Sequence, residues 1–493
     1  MNKNLMKLIF LILFLSINID DLIIAQRLFG FIVATDGTGD FSSVQAAIDA
    51  CPEGERSLIF IKNGTYAEQV SLGSKSLAST KKISLIGESR NGVLITQSKS
   101  RGSSGSPTFE DVCTVKLYAT DFYAENITIQ NAAGNTGMAE ALYTAGDRQT
   151  FKNCSVLGYQ DTYRSKKGTR GYFKNSWIEG AVDFIYAGGT IFFDDCTINC
   201  VNGGGYITAP EDAFTSIPAS STNVGKFLRL GFIFRNCNIA ANPDVASNTY
   251  YLGRPWNNYA GTFYISCKLL GNHIKPIGWQ TWGGNENTAS FAEYNSLDVN
   301  GNPIDITNRV TWSFQLPKSD VDNFLKPEYV YARGYTDAYD PITMCISPSV
   351  PSLIYLSGST LSWNAVENAA GYLVFKNGRF LTSTTETSYT DNSDTSGPYT
   401  IKSISSTGTL SDNSETLTDM ISTKETKFIS EIKDGTIAFD KKVNIRIISI
   451  SGKNVVSLKN IDEISTHDYP KGWYILKTED RTGNKTSGKI LIN

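Results

Sequence analysis

Five short segments between residues 126 and 239 share one form, and the interval at which they recur limits the fold more than any other feature. Asn126-Ile127-Thr128-Ile129, Asn153-Cys154-Ser155-Val156, Asn175-Ser176-Trp177-Ile178, Asp195-Cys196-Thr197-Ile198 and Asn236-Cys237-Asn238-Ile239 each run polar, small or apolar, polar, aliphatic. Their second positions fall at 127, 154, 176, 196 and 237, at intervals of 27, 22, 20 and 41. Short strands at a period of about twenty residues, with few helical stretches between them, describe a β-solenoid in which each turn stacks on the last. The interval of 41 leaves room for an extra turn plus a loop. A sandwich of irregular hairpins would instead call for evenly spaced strands joined by two-residue turns, and few such turns occur.

The same period relates two aspartates. They lie in Gly158-Tyr159-Gln160-Asp161-Thr162 and Ala181-Val182-Asp183-Phe184-Ile185-Tyr186, and the step from Asp161 to Asp183 equals the step from Cys154 to Ser176. Neighbouring parallel strands lie about 4.8 Å apart, so this step brings both carboxyls to one face of adjacent turns. Stacked carboxylates repel and are rarely placed together for stability. The pair reads as a nucleophile and an acid/base. Two aspartates can divide that work if their surroundings separate their pKa values, with an arginine holding one ionised. Arg254, in Leu252-Gly253-Arg254-Pro255-Trp256, is the candidate, although its distance from Asp183 in the sequence does not by itself bring the two together.

Composition closes other routes. The 493 residues hold two histidines, His273 and His467, both expected at the surface, and the sequence has neither a G-x-S-x-G elbow nor an H-E-x-x-H pair. No Cys/His cluster has zinc spacing, so no metal or cofactor is expected. A net charge of −3 gives no basic excess to neutralise phosphates, which argues against nucleic acid as a partner.

Residues 1–25 read as a secretory signal: a short basic start, an apolar run over residues 8–15, and a cleavage point near Ala25. The solenoid is expected over residues 26–345, opening with a short helix capped by Ser42 or Ser43. Cys154, Cys196, Cys237 and Cys267 sit in similar apolar patterns and read as buried free thiols. Residues 350–420, with Trp363 and spaced tyrosines, suit a small β-sandwich and weakly resemble a fibronectin type III module. A Ser- and Pro-containing linker with Pro348 and Pro351 precedes it, and a second, Ser/Thr-rich linker follows around Ser411 to Thr426. Residues 426–493 alternate as a compact β module that resembles the C-terminal sorting domains of the type IX secretion route.

Taken together, the Asp161, Asp183 and Arg254 segments resemble, in order, the signatures of pectin methylesterases. Gly64-Thr65-Tyr66-Ala67-Glu68, residues 40–49, Gly278-Trp279-Gln280-Thr281-Trp282, Glu293-Tyr294 and Arg309-Val310-Thr311-Trp312 extend the resemblance over about residues 30–335. It implies a right-handed parallel β-helix and hydrolysis of the methyl ester of galacturonate, with methyl-esterified homogalacturonan as substrate. By motif, Asp183 resembles the nucleophile, Asp161 the general acid and later base, Gln160 an oxyanion donor and Arg254 the partner of Asp183. Trp256, Trp282 and Tyr186 resemble the sugar-stacking aromatics. The family's second oxyanion glutamine falls at Met138, whose thioether cannot donate a hydrogen bond; Tyr163-Arg164 and Ala187 are further departures. An enzyme weakened to a pectin- or glycan-binding surface protein therefore stays open. A glycosidase or lyase would need additional acidic residues that the motifs lack. A monomer, secreted or attached to the cell surface and delivered by secretion machinery that reads the C-terminal module, is the expectation.

Overall fold

The computed structural model describes residues 27–102, 107–214, 230–352, 354–357, 359–392, 397–417, 429–433, 436–449 and 453–492. The expected signal segment and residues 418–426 of the second linker lie outside them. From Phe31 to Gln315 the chain winds as a parallel β-helix with sheets of eleven, seven and eight strands. A helix at Val44–Ala50, capped by the Ser43 side chain, buries Val44, Ala47 and Ile48 at its start.

The sequence intervals are the pairing registers. Thr128 pairs with Ser155, Ser155 with Trp177, Trp177 with Thr197, and Thr197 with Asn238. The longest interval, from Cys196 to Cys237, is thus one turn, not two. Within it, Tyr206–Pro210 pairs with Val182–Ala187 on one side and Tyr251–Gly253 on the other. The surplus residues come after Pro210.

The repeated form has a physical cause at each position. Asn126, Asn153, Asn175, Asp195 and Asn236 turn the chain between two sheets with φ of 50° to 61°, a left-handed conformation that asparagine and aspartate tolerate. The next residue faces inward and must be small or compact. Cys154, Cys196 and Cys237 are fully buried free thiols, each donating at 3.4 Å to a backbone carbonyl, of Lys152, Asp194 and Arg235 respectively. Inside the eleven-stranded sheet, Phe151, Phe173, Phe193, Phe234 and Tyr264 stack on successive turns with centroids 4.6 to 5.1 Å apart. Aromatic pairs of this kind add to simple burial, and the column fixes the register of every turn it crosses.

The outer face of the eleven-stranded sheet is also covered. Helices Lys318–Phe324 and Pro327–Ala332 seal Tyr172, Phe192, Ile233 and Phe263. Beyond them lie two three-stranded antiparallel sheets between Tyr355 and Ile404, and the one made of Gly371–Lys376, Arg379–Thr384 and Tyr399–Ile404 docks on the first turns, joining Leu373, Phe375, Phe380, Ile404 and the following Leu410 to Leu58, Phe60, Ile86 and Tyr123. Ile429 to Ile492 form a separate five-stranded antiparallel sheet with its own core. The seven-stranded sheet keeps its outer face free of these modules' cores.

His273 departs from expectation. It is 3% exposed, and burial pushes its pKa down to about 4. It sits where the chain turns back under Tyr250, whose ring meets it edge-on at 6.4 Å.

Candidate active site

Asp161 lies in the turn that enters strand Tyr163–Ser165, and Asp183 lies one turn further on, inside strand Val182–Ala187. Tyr163 pairs with Ile185, the same step as that from Asp161 to Asp183, and the Asp161 N–H donates to the Val182 carbonyl at 3.1 Å. The two aspartates therefore occupy neighbouring rungs, as their spacing requires. Both adopt positive φ, 61° and 49°, and the sheet is irregular between Val182 and Ile185. Such irregularities re-aim side chains and collect near active sites. The corner asparagines share the conformation, so φ alone does not distinguish the pair.

Their partners differ. Arg254 grips Asp183 with both arms, Nε to Oδ1 at 2.9 Å and Nη2 to Oδ2 at 2.6 Å. Gly253 makes this approach possible, because a Cβ there would lie 2.0 Å from Thr208 Oγ1. The guanidinium is sandwiched between the rings of Tyr206, 3.7 Å away, and Trp282, 4.0 Å away. Among the described residues nothing donates to the Asp161 carboxyl. Burial, then the charges of Asp183 and Glu140, pushes it well above the usual carboxylate range. Burial also raises Asp183, while the Arg254 fork pulls it back. Burial lifts both carboxyls, but only Asp183 is bonded to a cation, so Asp161 keeps a proton more readily than Asp183, the division that acid and nucleophile need.

Gln160 is half-buried beside the pair, and its side-chain amide has no partner among the described residues. Met138 is half-buried, and its carbonyl accepts from the Arg101 N–H at 2.7 Å. Trp256 is 42% exposed and meets Tyr186 edge-on at 6.0 Å. Tyr186 is 5% exposed and its hydroxyl donates to Glu140, so it offers little open face. Trp282 gives one ring face to Arg254. Among the described residues no cluster of His, Cys, Asp and Glu could hold a metal ion.

The pectinesterase family model matches residues 30–333, well over half of the chain. The chain belongs to the pectinesterase family. A second model, the secretion system C-terminal sorting domain, matches residues 433–493. Among relatives, a pectinesterase/pectinesterase inhibitor of Brassica campestris is 32% identical over 311 residues, covering 60% of this chain and 52% of the relative. Pectinesterase 2 of Citrus sinensis is 34% identical over 291 residues, covering 57% and 53%. The chain thus spans about half the length of the curated relatives it matches. The solved pectin methylesterase from carrot superposes with a TM-score of 0.54 at 30% identity, covering 62% of this chain and 94% of that one.

The sequence assigns no role to three residues that the fold brings to this cluster. Tyr206 braces Arg254, and nothing in Gly205-Tyr206-Ile207 signals it. Arg164, just after Asp161, lies over the Tyr143 and Phe109 rings at 4.5 and 5.3 Å. Glu140 is 1% exposed. A carboxylate between alanines, one solenoid turn before Asp161, was the readable sign of it.

Proposed function

We propose that the chain is a secreted pectin methylesterase that hydrolyses the methyl ester of galacturonate units in homogalacturonan to carboxylate and methanol. The observation that carries this is the two-armed hold of Arg254 on Asp183, one rung from an unbonded, buried Asp161. In the reaction, an Asp183 oxygen attacks the ester carbonyl while Gln160 donates to the oxyanion. Asp161 gives its proton to departing methanol, then takes one from the water that releases the acyl-enzyme. Trp256 and the open side of Trp282 give apolar surface to the C–H faces of the sugars. No cofactor enters this scheme.

Around this centre we read a right-handed helix over residues 26–345, a fibronectin type III-like sandwich over 350–420 and a sorting module from 426. The sorting module addresses the chain to the outside or to the cell surface. Met138 favours a slow enzyme over a fast one, because losing one oxyanion donor costs on the order of a hundredfold in rate. Methanol release from methylated pectin, without change in chain length, tests the reading. Asp183→Asn and Asp161→Asn should each lower it by about three or more orders of magnitude with an unchanged melting temperature. Near-normal release by either variant would refute its assigned role.

A further inference from the structure

The carboxyl ladder does not stop at two. Ala139 N–H donates to the Gln160 carbonyl at 3.1 Å and Ala141 N–H to the Thr162 carbonyl at 2.8 Å, and Leu142 pairs with Tyr163. This register sets Glu140 on the rung beside Asp161, so that Glu140, Asp161 and Asp183 occupy three successive turns. Glu140 Oε1 accepts from the Tyr186 hydroxyl and from Arg164 Nη1 at 3.4 Å. Its Oε2 is buried without a partner among the described residues.

The charges around Asp161 can be counted. Arg254 balances Asp183 through a two-armed bond. Arg164 then brings one positive charge to two carboxyls, Glu140 and Asp161. A buried pair in this position holds one proton between its members across a wide pH range. Both hydrogen-bond donors, Arg164 and Tyr186, point at Glu140, which favours its ionised form. Among the described residues Asp161 has no donor. The shared proton belongs on Asp161.

We propose that Glu140 is a positioning residue for the acid step, a carboxylate pinned by Arg164 and Tyr186 that keeps the proton on Asp161. This rests on the ester-hydrolysis reading above. The groups facing the pair are Asp183 and Arg254 from the following turns, Arg164 from the strand Asp161 enters, Tyr186 and Tyr143 from the flanking strands, and Glu110 and the C-cap Cys113 from the helix Phe109–Val112. Burial pushes Glu140 up to about 7, and Arg164 and Tyr186 pull against it. Above that pH its charge acts on Asp161 in full.

The sign of the effect follows. Glu140→Gln removes a negative neighbour, so Asp161 gives up its proton at lower pH. The alkaline limb of kcat/KM for methanol release should fall by about one pH unit. Arg164→Gln removes a positive charge that both carboxyls share, so the pair's last proton leaves at higher pH and the limb should rise, while kcat falls because Glu140 then holds that proton part of the time. Opposite shifts are something a merely structural pair would not produce. A limb unmoved in Glu140→Gln, or moved upward, overturns the proposal. Infrared difference spectra read the proton without turnover. A protonated-carboxyl band lost on Asp161→Asn should disappear at a lower pH in Glu140→Gln than in the wild type. If Asp161→Asn removes no such band at any pH, or the band disappears at the same pH in Glu140→Gln, the inference fails even in an active enzyme. A wild type that releases no methanol yet shows the band sinks the esterase reading alone.

Discussion

Replacing Arg254 by lysine separates charge from geometry at Asp183. A lysine keeps the positive charge but is a point donor on a flexible stem, without a planar fork. It can restore at best one of the two bonds now at 2.9 and 2.6 Å. A hydrogen bond to a charged group contributes about 1.5–3 kcal/mol. The plane held between Tyr206 and Trp282 is also lost, worth about 0.5–1 kcal/mol more at a partly exposed site. The sum, about 2–4 kcal/mol, falls on the orientation of the attacking oxygen. At about 1.36 kcal/mol per decade this predicts a fall of about 30- to 1,000-fold in kcat/KM for methanol release. The melting temperature should change little, because Asp183 keeps a cationic partner. If Arg254→Lys works within about threefold of wild type, charge alone suffices and the two-armed geometry has no part in attack.

Met138→Gln puts a donor at the position where the family carries its second oxyanion glutamine, and should raise turnover roughly tenfold; an unchanged rate would mean that the side chain faces away from the ester. Ending the chain after residue 345 strips Phe60, Ile86 and Tyr123 of their cover and leaves Glu125 without the Leu410 N–H that now donates at 3.1 Å. Each exposed core side chain costs about 1.5–3 kcal/mol, so the melting temperature should drop by on the order of 10 °C or more, and an unshifted transition would show the docking to be incidental. Ending it after residue 425 should leave methanol release intact but keep the protein from the cell exterior, and a shortened chain still found outside would refute the sorting role.

The stacking of Asp161 on Asp183 was legible because a coil converts sequence distance directly into rungs. The spacing between Asp161 and Asp183 is the register by which Tyr163 pairs with Ile185. Arg254 could not be placed the same way, because the long turn that carries Thr197 to Asn238 lies between it and Asp183, and spacing no longer counts turns. That same turn misled the count of coils. Glu140 was present in the sequence as Ala139-Glu140-Ala141-Leu142 and went unread. The motif drew attention to Met138, where a donor was missing, and away from a carboxylate among small apolar neighbours. A charge there must be paired to be buried, and Arg164 was the second departure from the family pattern that supplies the pairing.

The docking of the antiparallel module beyond residue 350 is legible too, in the alternation of a solenoid strand. Leu58-Ile59-Phe60-Ile61 is an unbroken apolar run, and all four side chains are buried. In a strand, alternate side chains point to opposite faces. Ile59 and Ile61 fill the helix interior, while Leu58 and Phe60 point out into the cluster shared with Phe375 and Phe380. Lys152 and Lys174 end later strands of the same sheet with a charge, as Phe151 and Phe173 fill the core. Continuous apolar strands mark sheets covered on both faces. In a solenoid the inner face is always covered, so an apolar residue at an outward position already demands a lid. Residues 58 and 60 demand one that the solenoid's own turns do not provide, and the module beyond residue 350 answers that demand.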